Sequence, residues 1–385
     1  MSVDPPAPLV LIAELTHRCP LRCAYCSNPR ALAPGAAELG TADWRRVLEQ
    51  AAALGVLQVH LTGGEPLVRD DLEDIAVASV AQGLYTTLVT SGLGPHALRR
   101  LDALVRLGVR AVQVSFQDTD DAAATAVAGR AALRDKLAFA RRTVERGASL
   151  TTNFVLHRGN LSRLERFLEL SLALGADRVE LAHVQIHGWA RLNRAALLPT
   201  TAEVQQAERL VTAARLQHGG ALEILHVMAD HHSNRPKPCM AGWGRRAIVV
   251  SPDGALLPCH GATELPLTLD RVPDRSLADA WAHGEAFAAF RGEAWMEAPC
   301  RSCPERGRDF GGCRCQALAL TGRATATDPA CARSPHHELI RRLRRGAERV
   351  QAMRPEHRPG FVLRRPPSAS RSDPSERDLD HGETP

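Results

Sequence analysis

Short apolar runs alternate with longer amphipathic stretches through the first half of the chain, and the alternation has a regular beat. Residues 8–15 predict a strand. Thr41 reads as the N-cap of a helix over 42–54 that closes at Gly55. A strand over 56–61 follows and runs into Thr62-Gly63-Gly64-Glu65-Pro66. The pattern repeats as a helix over 70–82 closing at Gly83, a strand over 84–90 ending in Ser91-Gly92, and a helix over 95–107 closing at Gly108. Strand 109–116, helix 130–146, strand 148–156, helix 161–174 and strand 178–185 complete the series. Six strand–helix units predict an α/β fold with a parallel sheet. Their length suits a partial (β/α)6 barrel better than a complete eight-unit barrel. A doubly wound open sheet is the competing arrangement.

The second half loses this rhythm. A helix is expected over 201–217, then a linker over 230–238 in which His231 and His232 read as solvated. Apolar residues 248–251 and 255–257 flank Pro252-Asp253-Gly254, a hairpin signal. Residues 336–353 predict a short basic helix containing Arg341-Arg342-Leu343-Arg344-Arg345. From residue 355 the chain is rich in Pro, Ser, Arg, Asp and Glu, a composition that predicts disorder. The expected organisation is an arm over 1–7, a barrel over 8–200, a connecting helix and linker over 201–238, a cysteine-rich domain over 239–335, a basic helix over 336–354 and a disordered tail over 355–385.

Composition narrows the function. With 44% apolar residues among 385, the chain can bury a sizeable core. The net charge of +5 is mild, and the aromatics are only 4% with two tyrosines, Tyr25 and Tyr85, which argues against a nucleic-acid partner. No apolar run approaches the ~18 residues of a membrane span. The N-terminus lacks a basic segment followed by an apolar one, so a cytoplasmic location is expected. Ten cysteines in a reducing compartment are metal ligands or catalytic groups before they are disulfides.

The cysteines fall into two groups. Cys19, Cys23 and Cys26 form C-x3-C-x2-C on a loop just after the first strand. Three thiolates can hold three corners of an iron–sulfur cube and leave the fourth iron open to a ligand; a structural zinc or a buried thiol cluster is the plainer alternative. In a parallel barrel the chemistry sits at the C-terminal ends of the strands. The polar residues Gly63-Gly64-Glu65, Ser91, Ser115, Gln117, Asn153, Gln185 and His187 fall there, although each also reads as a turn or strand-end residue. Seven cysteines remain, one short of two four-ligand clusters. Asp309 lies inside Cys300-x2-Cys303-x5-Asp309-x3-Cys313-x-Cys315 and is the candidate eighth ligand, with Cys239, Cys259 and Cys331 completing the set. A zinc ribbon built on Cys300, Cys303, Cys313 and Cys315 competes, and leaves the other three cysteines unexplained.

These motifs resemble a known family. Cys19-x3-Cys23-x2-Cys26 with Tyr25 before the last cysteine, followed by Gly63-Gly64-Glu65-Pro66, looks like the radical S-adenosylmethionine (SAM) enzymes. The later cysteines look like the SPASM extension of its peptide-modifying members. The stretch 13–29, Val114-Ser-Phe-Gln-Asp118, His187-Gly-Trp-Ala190, Lys237-Pro-Cys-Met240, Gly242-Trp-Gly-Arg-Arg246 and residues 309–321 resemble, within that group, the cyclases of the pyrroloquinoline quinone (PQQ) precursor peptide. The resemblance spans about residues 8–335.

It implies a SAM-binding [4Fe–4S] cluster on Cys19, Cys23 and Cys26. One auxiliary cluster, [2Fe–2S] or [4Fe–4S], would sit on Cys239, Cys259, Cys313 and Cys315, and a second, [4Fe–4S], on Cys300, Cys303, Asp309 and Cys331. Backbone carbonyls of Gly63-Gly64-Glu65-Pro66 would meet the ammonium of S-adenosylmethionine, and Tyr25 would lie near its adenine or simply pack; Ser91, Ser115, Gln117 and Asn153 are further candidates to touch it because they fall at strand ends. The implied reaction is a carbon–carbon crosslink between a glutamate and a tyrosine of the PqqA peptide, served by a PqqD-type peptide chaperone and a flavodoxin-like reductant. His183 and His187 are the candidates for the ring-deprotonating base. Another SPASM maturase, for example a thioether-forming one, and a non-catalytic metal scaffold are the alternatives.

Overall fold

A computed structural model describes residues 5–30, 32 and 37–365. The strands are β1 (Val10–Glu14), β2 (Gln58–Thr62), β3 (Tyr85–Thr90), β4 (Ala111–Phe116), β5 (Ser149–Leu156), β6 (Arg178–His183), β7 (Glu223–Val227), β8 (Ala247–Val250) and β9 (Leu256–Leu257). They form one sheet in the order β7-β6-β5-β4-β3-β2-β1-β8-β9. All pairings are parallel except β8 with β9. The sheet does not close, because β7 and β9 are its two ends.

The helices on the outer face are α1 (Thr41–Ala53), α2 (Leu72–Ala81), α3 (Ala97–Arg106), α5 (Leu133–Glu145) and α6 (Leu164–Ala173), while the short α4 (Asp121–Ala128) lies against the loop that carries Cys19, Cys23 and Cys26. Two short turns follow β6, α7 (Trp189–Leu192) and α8 (Arg194–Leu197), then the long α9 (Thr201–His218). The cysteine-rich region holds α10 (Leu277–His283), α11 (Glu285–Ala288), α12 (Arg306–Asp309) and α13 (Arg314–Thr321), and α14 (His337–Ala352) comes last.

Strand alternation separates two faces. Val112, Val114 and Phe116 of β4, with Leu150 and Phe154 of β5, are fully or almost fully buried against the helices. Phe154 stacks on Phe167 of α6 with ring centroids 4.3 Å apart. The intervening residues, Gln113, Ser115, Thr151, Asn153 and Glu180, are half-buried on the opposite face and give the barrel a polar lumen. Register sets Ser115 beside Asn153 and Asn153 beside Glu180.

The predicted strand–helix series is present, and the structure adds to it. Helix α1 begins one residue earlier than expected: Gly40 is its N-cap and donates its N–H to Asp43 Oδ2 at 3.2 Å. Strand β7 falls inside the stretch read as connecting helix and linker; as an end strand it buries only Ile224 well, so its alternation is weak. The predicted hairpin is β8–β9, and β8 also pairs in parallel with β1, so the cysteine-rich region extends the barrel sheet.

Two expectations are corrected. His231 was expected in a solvated loop but is 2% exposed, covered by α14, whose Arg344 Nε donates to the His231 carbonyl at 2.7 Å. Residues 355–365 were expected to begin a disordered tail, yet they run along the barrel mouth, where Val362 N–H donates to Asn193 Oδ1 at 2.6 Å. The Asn193 amide and buried backbone partners hold this segment together with Phe361, packed edge-on against His157, and these long-range contacts are not visible in its composition. The rest of the expected tail, 366–385, and residues 1–4 of the expected arm lie outside the described residues.

Candidate functional site

Cys19, Cys23 and Cys26 lie on the loop leaving the C-terminal end of β1, and all three are free thiols. The loop is pinned by Arg22 N–H to the Ala128 carbonyl at 2.8 Å, Ala24 N–H to the Val127 carbonyl at 2.9 Å and Cys26 N–H to the Cys23 carbonyl at 3.1 Å. Burial, then the Glu65 carboxylate, pushes the Cys19 thiol up to about 11. Burial and the neighbouring thiols Cys26 and Cys19 push Cys23 up to about 12, and burial raises Cys26. Three crowded, desolvated thiols are poor thiolates alone, and a bound metal supplies the missing positive charge.

The two glycines after β2 serve this loop. A Cβ on Gly63 would lie 2.4 Å from the Thr16 carbonyl, and one on Gly64 would lie 2.4 Å from the Arg18 carbonyl. Gly64 N–H donates to the Thr16 carbonyl at 2.5 Å and Glu65 N–H to the Arg18 carbonyl at 2.8 Å. Close backbone approach is therefore required at the chain leading into Cys19.

Glu65 is fully buried and its carboxylate faces inward. It accepts from Leu67 N–H at 3.0 Å, Thr90 Oγ1 at 2.6 Å, Ser91 N–H at 2.6 Å and the Ser91 hydroxyl. The Glu65 and Ser91 side chains thus bind each other, because a buried carboxylate needs every donor within reach, which leaves the backbone of Gly63-Gly64-Glu65-Pro66 as the part expected to meet a cofactor. Pro66 is buried at the start of the following turn. Lys136 of α5 closes the floor, donating to the Ser115 carbonyl at 2.7 Å. Burial lowers its ammonium to about 8, against the pull of Cys23, Glu65 and Cys19.

Tyr25 is half-buried beside Gln117 and Cys23, and the desolvation of its hydroxyl raises it well above the usual range. Its ring lies 6.0 Å from that of His157. The Ser115, Asn153 and Glu180 row opens to the lumen, with Asn153 hydrogen-bonded to Glu180.

The later cysteines gather into two sites. Cys239, Cys259, Cys313 and Cys315 are hydrogen-bonded to one another. Bonds from Cys239 and Cys315 hold Cys259 and Cys313 well below the usual thiol range. Cys300, Cys303, Asp309 and Cys331 line a second, small cavity with Arg306 and Arg333. Asp309 is buried and accepts from Gly311 N–H at 2.9 Å. Among the described residues no three His, Cys, Asp or Glu side chains converge as the ligands of one ion do; a [4Fe–4S] cluster instead takes one thiolate at each iron, and soft sulfur donors in a trio and a quartet fit it.

The two histidines part company. His183 Nε2 faces His226 Nε2 at 3.1 Å on the helix side of the sheet, away from the Asn153 row. His187 is half-buried against Cys313; desolvation of its ring lowers it, and the Cys313 bond and charge outweigh this, so it is raised. Gln185 Nε2 donates back to the His183 carbonyl at 3.3 Å.

Sequence reasoning missed several residues. Asp328 is fully buried, accepts from Cys313 N–H at 2.7 Å and Gln316 Nε2 at 2.8 Å, and burial raises it to about 7. Arg314 is almost fully buried and donates to the Ala326 carbonyl at 2.9 Å. His260, next to Cys259, pairs through Nδ1 with the Glu14 carboxylate and so ties the auxiliary region to β1. Asp328 and His260 carry no motif of their own, and only their nearness to cysteines could have flagged them.

Comparison with known proteins agrees with this arrangement. The profile described as "Radical SAM superfamily" matches residues 13–171, and that described as "Iron-sulfur cluster-binding domain" (SPASM) matches 239–304. The chain is 52% identical over 340 residues to a PqqA peptide cyclase of Methylobacterium nodulans, covering 88% of this chain and 89% of that one. It is 49% identical over 369 residues to a PqqA peptide cyclase of Xanthomonas campestris pv. campestris, covering 95% and 96%. Streptococcus suis SuiB, solved bound to S-adenosylmethionine, shares the fold with a TM-score of 0.70 at 19% identity, covering 84% of this chain and 77% of that one. An open parallel barrel, a three-cysteine loop at its mouth and a SPASM region built onto its sheet thus accompany half-identical relatives along nearly the whole length: the chain belongs to the PqqA peptide cyclase family of radical SAM enzymes.

Proposed function

We propose that this chain joins a glutamate and a tyrosine side chain of a PqqA precursor peptide by a carbon–carbon bond, an early step of PQQ biosynthesis in the cytoplasm. One observation carries the reading: the Cys19, Cys23 and Cys26 loop stands over a polar lumen lined by Ser115, Asn153 and Glu180, in a chain half-identical to PqqA peptide cyclases. Cys19, Cys23 and Cys26 would hold a [4Fe–4S] cluster. Cys239, Cys259, Cys313 and Cys315 would hold one auxiliary cluster, [2Fe–2S] or [4Fe–4S], and Cys300, Cys303, Asp309 and Cys331 a second, [4Fe–4S]. When bound with S-adenosylmethionine, the first cluster supplies a carbon radical able to remove an unactivated hydrogen.

The residues of the chain orient and protect that chemistry. Backbone groups of Gly63 and Gly64, Tyr25 and Gln117 would border the S-adenosylmethionine site, while Glu65 and Ser91 hold the loop between β2 and β3 in place. Ser115 and Asn153 would orient the peptide in the lumen. The base for the ring proton is assigned to His187 in preference to His183, whose Nε2 is taken up by His226 on the helix side of the sheet. A peptide chaperone would deliver the substrate, and a flavodoxin-like protein the electrons.

Anaerobic incubation with S-adenosylmethionine, a strong reductant, the precursor peptide and its chaperone tests this by mass spectrometry. The expected product is the peptide lighter by two hydrogens, with 5′-deoxyadenosine formed alongside. Reconstituted protein should carry roughly ten to twelve irons, as three clusters require. Failure to form 5′-deoxyadenosine overturns the enzymatic reading; 5′-deoxyadenosine with a thioether product overturns the crosslink alone.

A further inference from the structure

Beyond α14 the chain returns to the barrel mouth. Asn193, between α7 and α8, donates its side-chain amide to the Ala24 carbonyl at 2.9 Å and to the Val362 carbonyl at 2.8 Å, joining the returning strap to the cysteine loop. Arg364 N–H donates to the Arg22 carbonyl at 3.0 Å, and Arg22 Nε donates to the Arg364 carbonyl at 2.9 Å. Two residues before it, the chain is still anchored at Val362; at Arg364 the side chain turns inward.

Arg364 is 2% exposed. Its guanidinium donates to the His17 carbonyl at 3.3 Å, the Cys19 carbonyl at 3.3 Å and the Leu21 carbonyl at 3.0 Å. Among the described residues no carboxylate forms an ion pair with it. A buried cation without an anionic partner is expensive, and carbonyls satisfy its N–H groups without cancelling its charge. Two of these bonds run to the carbonyls of Cys19 and Leu21, so the guanidinium lies against the backbone of the cysteine loop itself. Lys136, another buried cation here, donates to the Ser115 carbonyl of β4 and not to the cysteine loop.

We propose that Arg364 is a positioning residue and the fixed counter-charge of the cysteine loop, delivered by the C-terminal strap to favour reduction of the cluster the loop holds. This rests on the reading that Cys19, Cys23 and Cys26 bind a [4Fe–4S] cluster. A core held by three thiolates is an anion, and adding an electron makes it more negative. A desolvated cation nearby stabilises the reduced form more than the oxidised one, so it raises the potential at which the electron arrives.

The test is a redox titration followed by electron paramagnetic resonance on wild-type, Arg364→Gln and Arg364→Lys full-length proteins with all clusters reconstituted. The signal of the N-terminal cluster is identified by its change on adding S-adenosylmethionine. Arg364→Gln should lower its reduced-to-oxidised ratio at a fixed potential at least tenfold, which is 59 mV for one electron, with auxiliary signals and iron content unchanged. Arg364→Lys should keep most of the wild-type value. If Arg364→Gln cannot retain the cluster while Arg364→Lys retains it near the wild-type potential, the counter-charge role is again supported. An unchanged midpoint in Arg364→Gln overturns the proposal, as does an equal shift or equal cluster loss in both variants, because then only the guanidinium's hydrogen bonds matter. A wild-type protein with no S-adenosylmethionine-responsive signal would instead overturn the cluster assignment on which the inference rests.

Discussion

The two cysteine regions solve the same problem in opposite ways. The N-terminal trio sits on one short loop, so local chain geometry brings its thiols together. What the fold adds is rigidity and charge: Gly63 and Gly64 stitched to residues 16–18, Asn193 holding Ala24, Arg364 bridging three loop carbonyls. The quartet of Cys239, Cys259, Cys313 and Cys315 is drawn from distant points of the chain and meets only when the whole region folds. Its own apolar cluster is small, around Trp243, Val249, Leu257, Leu265 and Phe290, whereas the barrel core extends from Leu11 and Trp44 to Phe154 and Phe167. The barrel has the larger hydrophobic core, and the surroundings of the quartet, with a smaller one, are expected to lean more on what the cysteines hold.

The sharpest way to break this contrast is to remove one candidate ligand from each site. Cys23→Ser should abolish 5′-deoxyadenosine formation, measured by chromatography, and leave the auxiliary spectra intact. Cys313→Ala and Asp309→Ala should do the reverse: each alters one auxiliary signal and blocks crosslinking by mass spectrometry, while the S-adenosylmethionine-responsive signal persists.

Stripping iron probes the same difference in stability. Limited proteolysis of iron-free protein should cut within 239–335 first, while a fragment containing the barrel core survives. A uniformly resistant chain would show that the later region needs no metal to fold.

Two substitutions then grade the fold's contribution to the N-terminal loop. Glu65→Ala removes a buried carboxylate that satisfies donors of Leu67, Thr90 and Ser91, and a loss of about 3–5 kcal/mol in denaturant unfolding is expected. Gly64→Ala forces a Cβ against the Arg18 carbonyl and should cost about 1–3 kcal/mol. It should also weaken cluster retention at the first site more than at the auxiliary sites.

The sequence by itself determined the alternation of strands and helices from β1 to β6, because period-two and period-3.6 burial are local signals. It also determined the thiol count, the trio's spacing, and Asp309 as the residue beside Cys300 and Cys303, since spacing along the chain is enough to propose shared chemistry. Only the tertiary structure decided that β8 joins β1, that the Glu65 carboxylate is spent on Ser91 and Thr90, that His183 faces the helix side, and that Asp328 lies under Cys313. It alone brought Arg364 to Cys19 from the far end of the chain. These are long-range pairings of polar groups, and their free energy comes from burial, which no window of sequence contains.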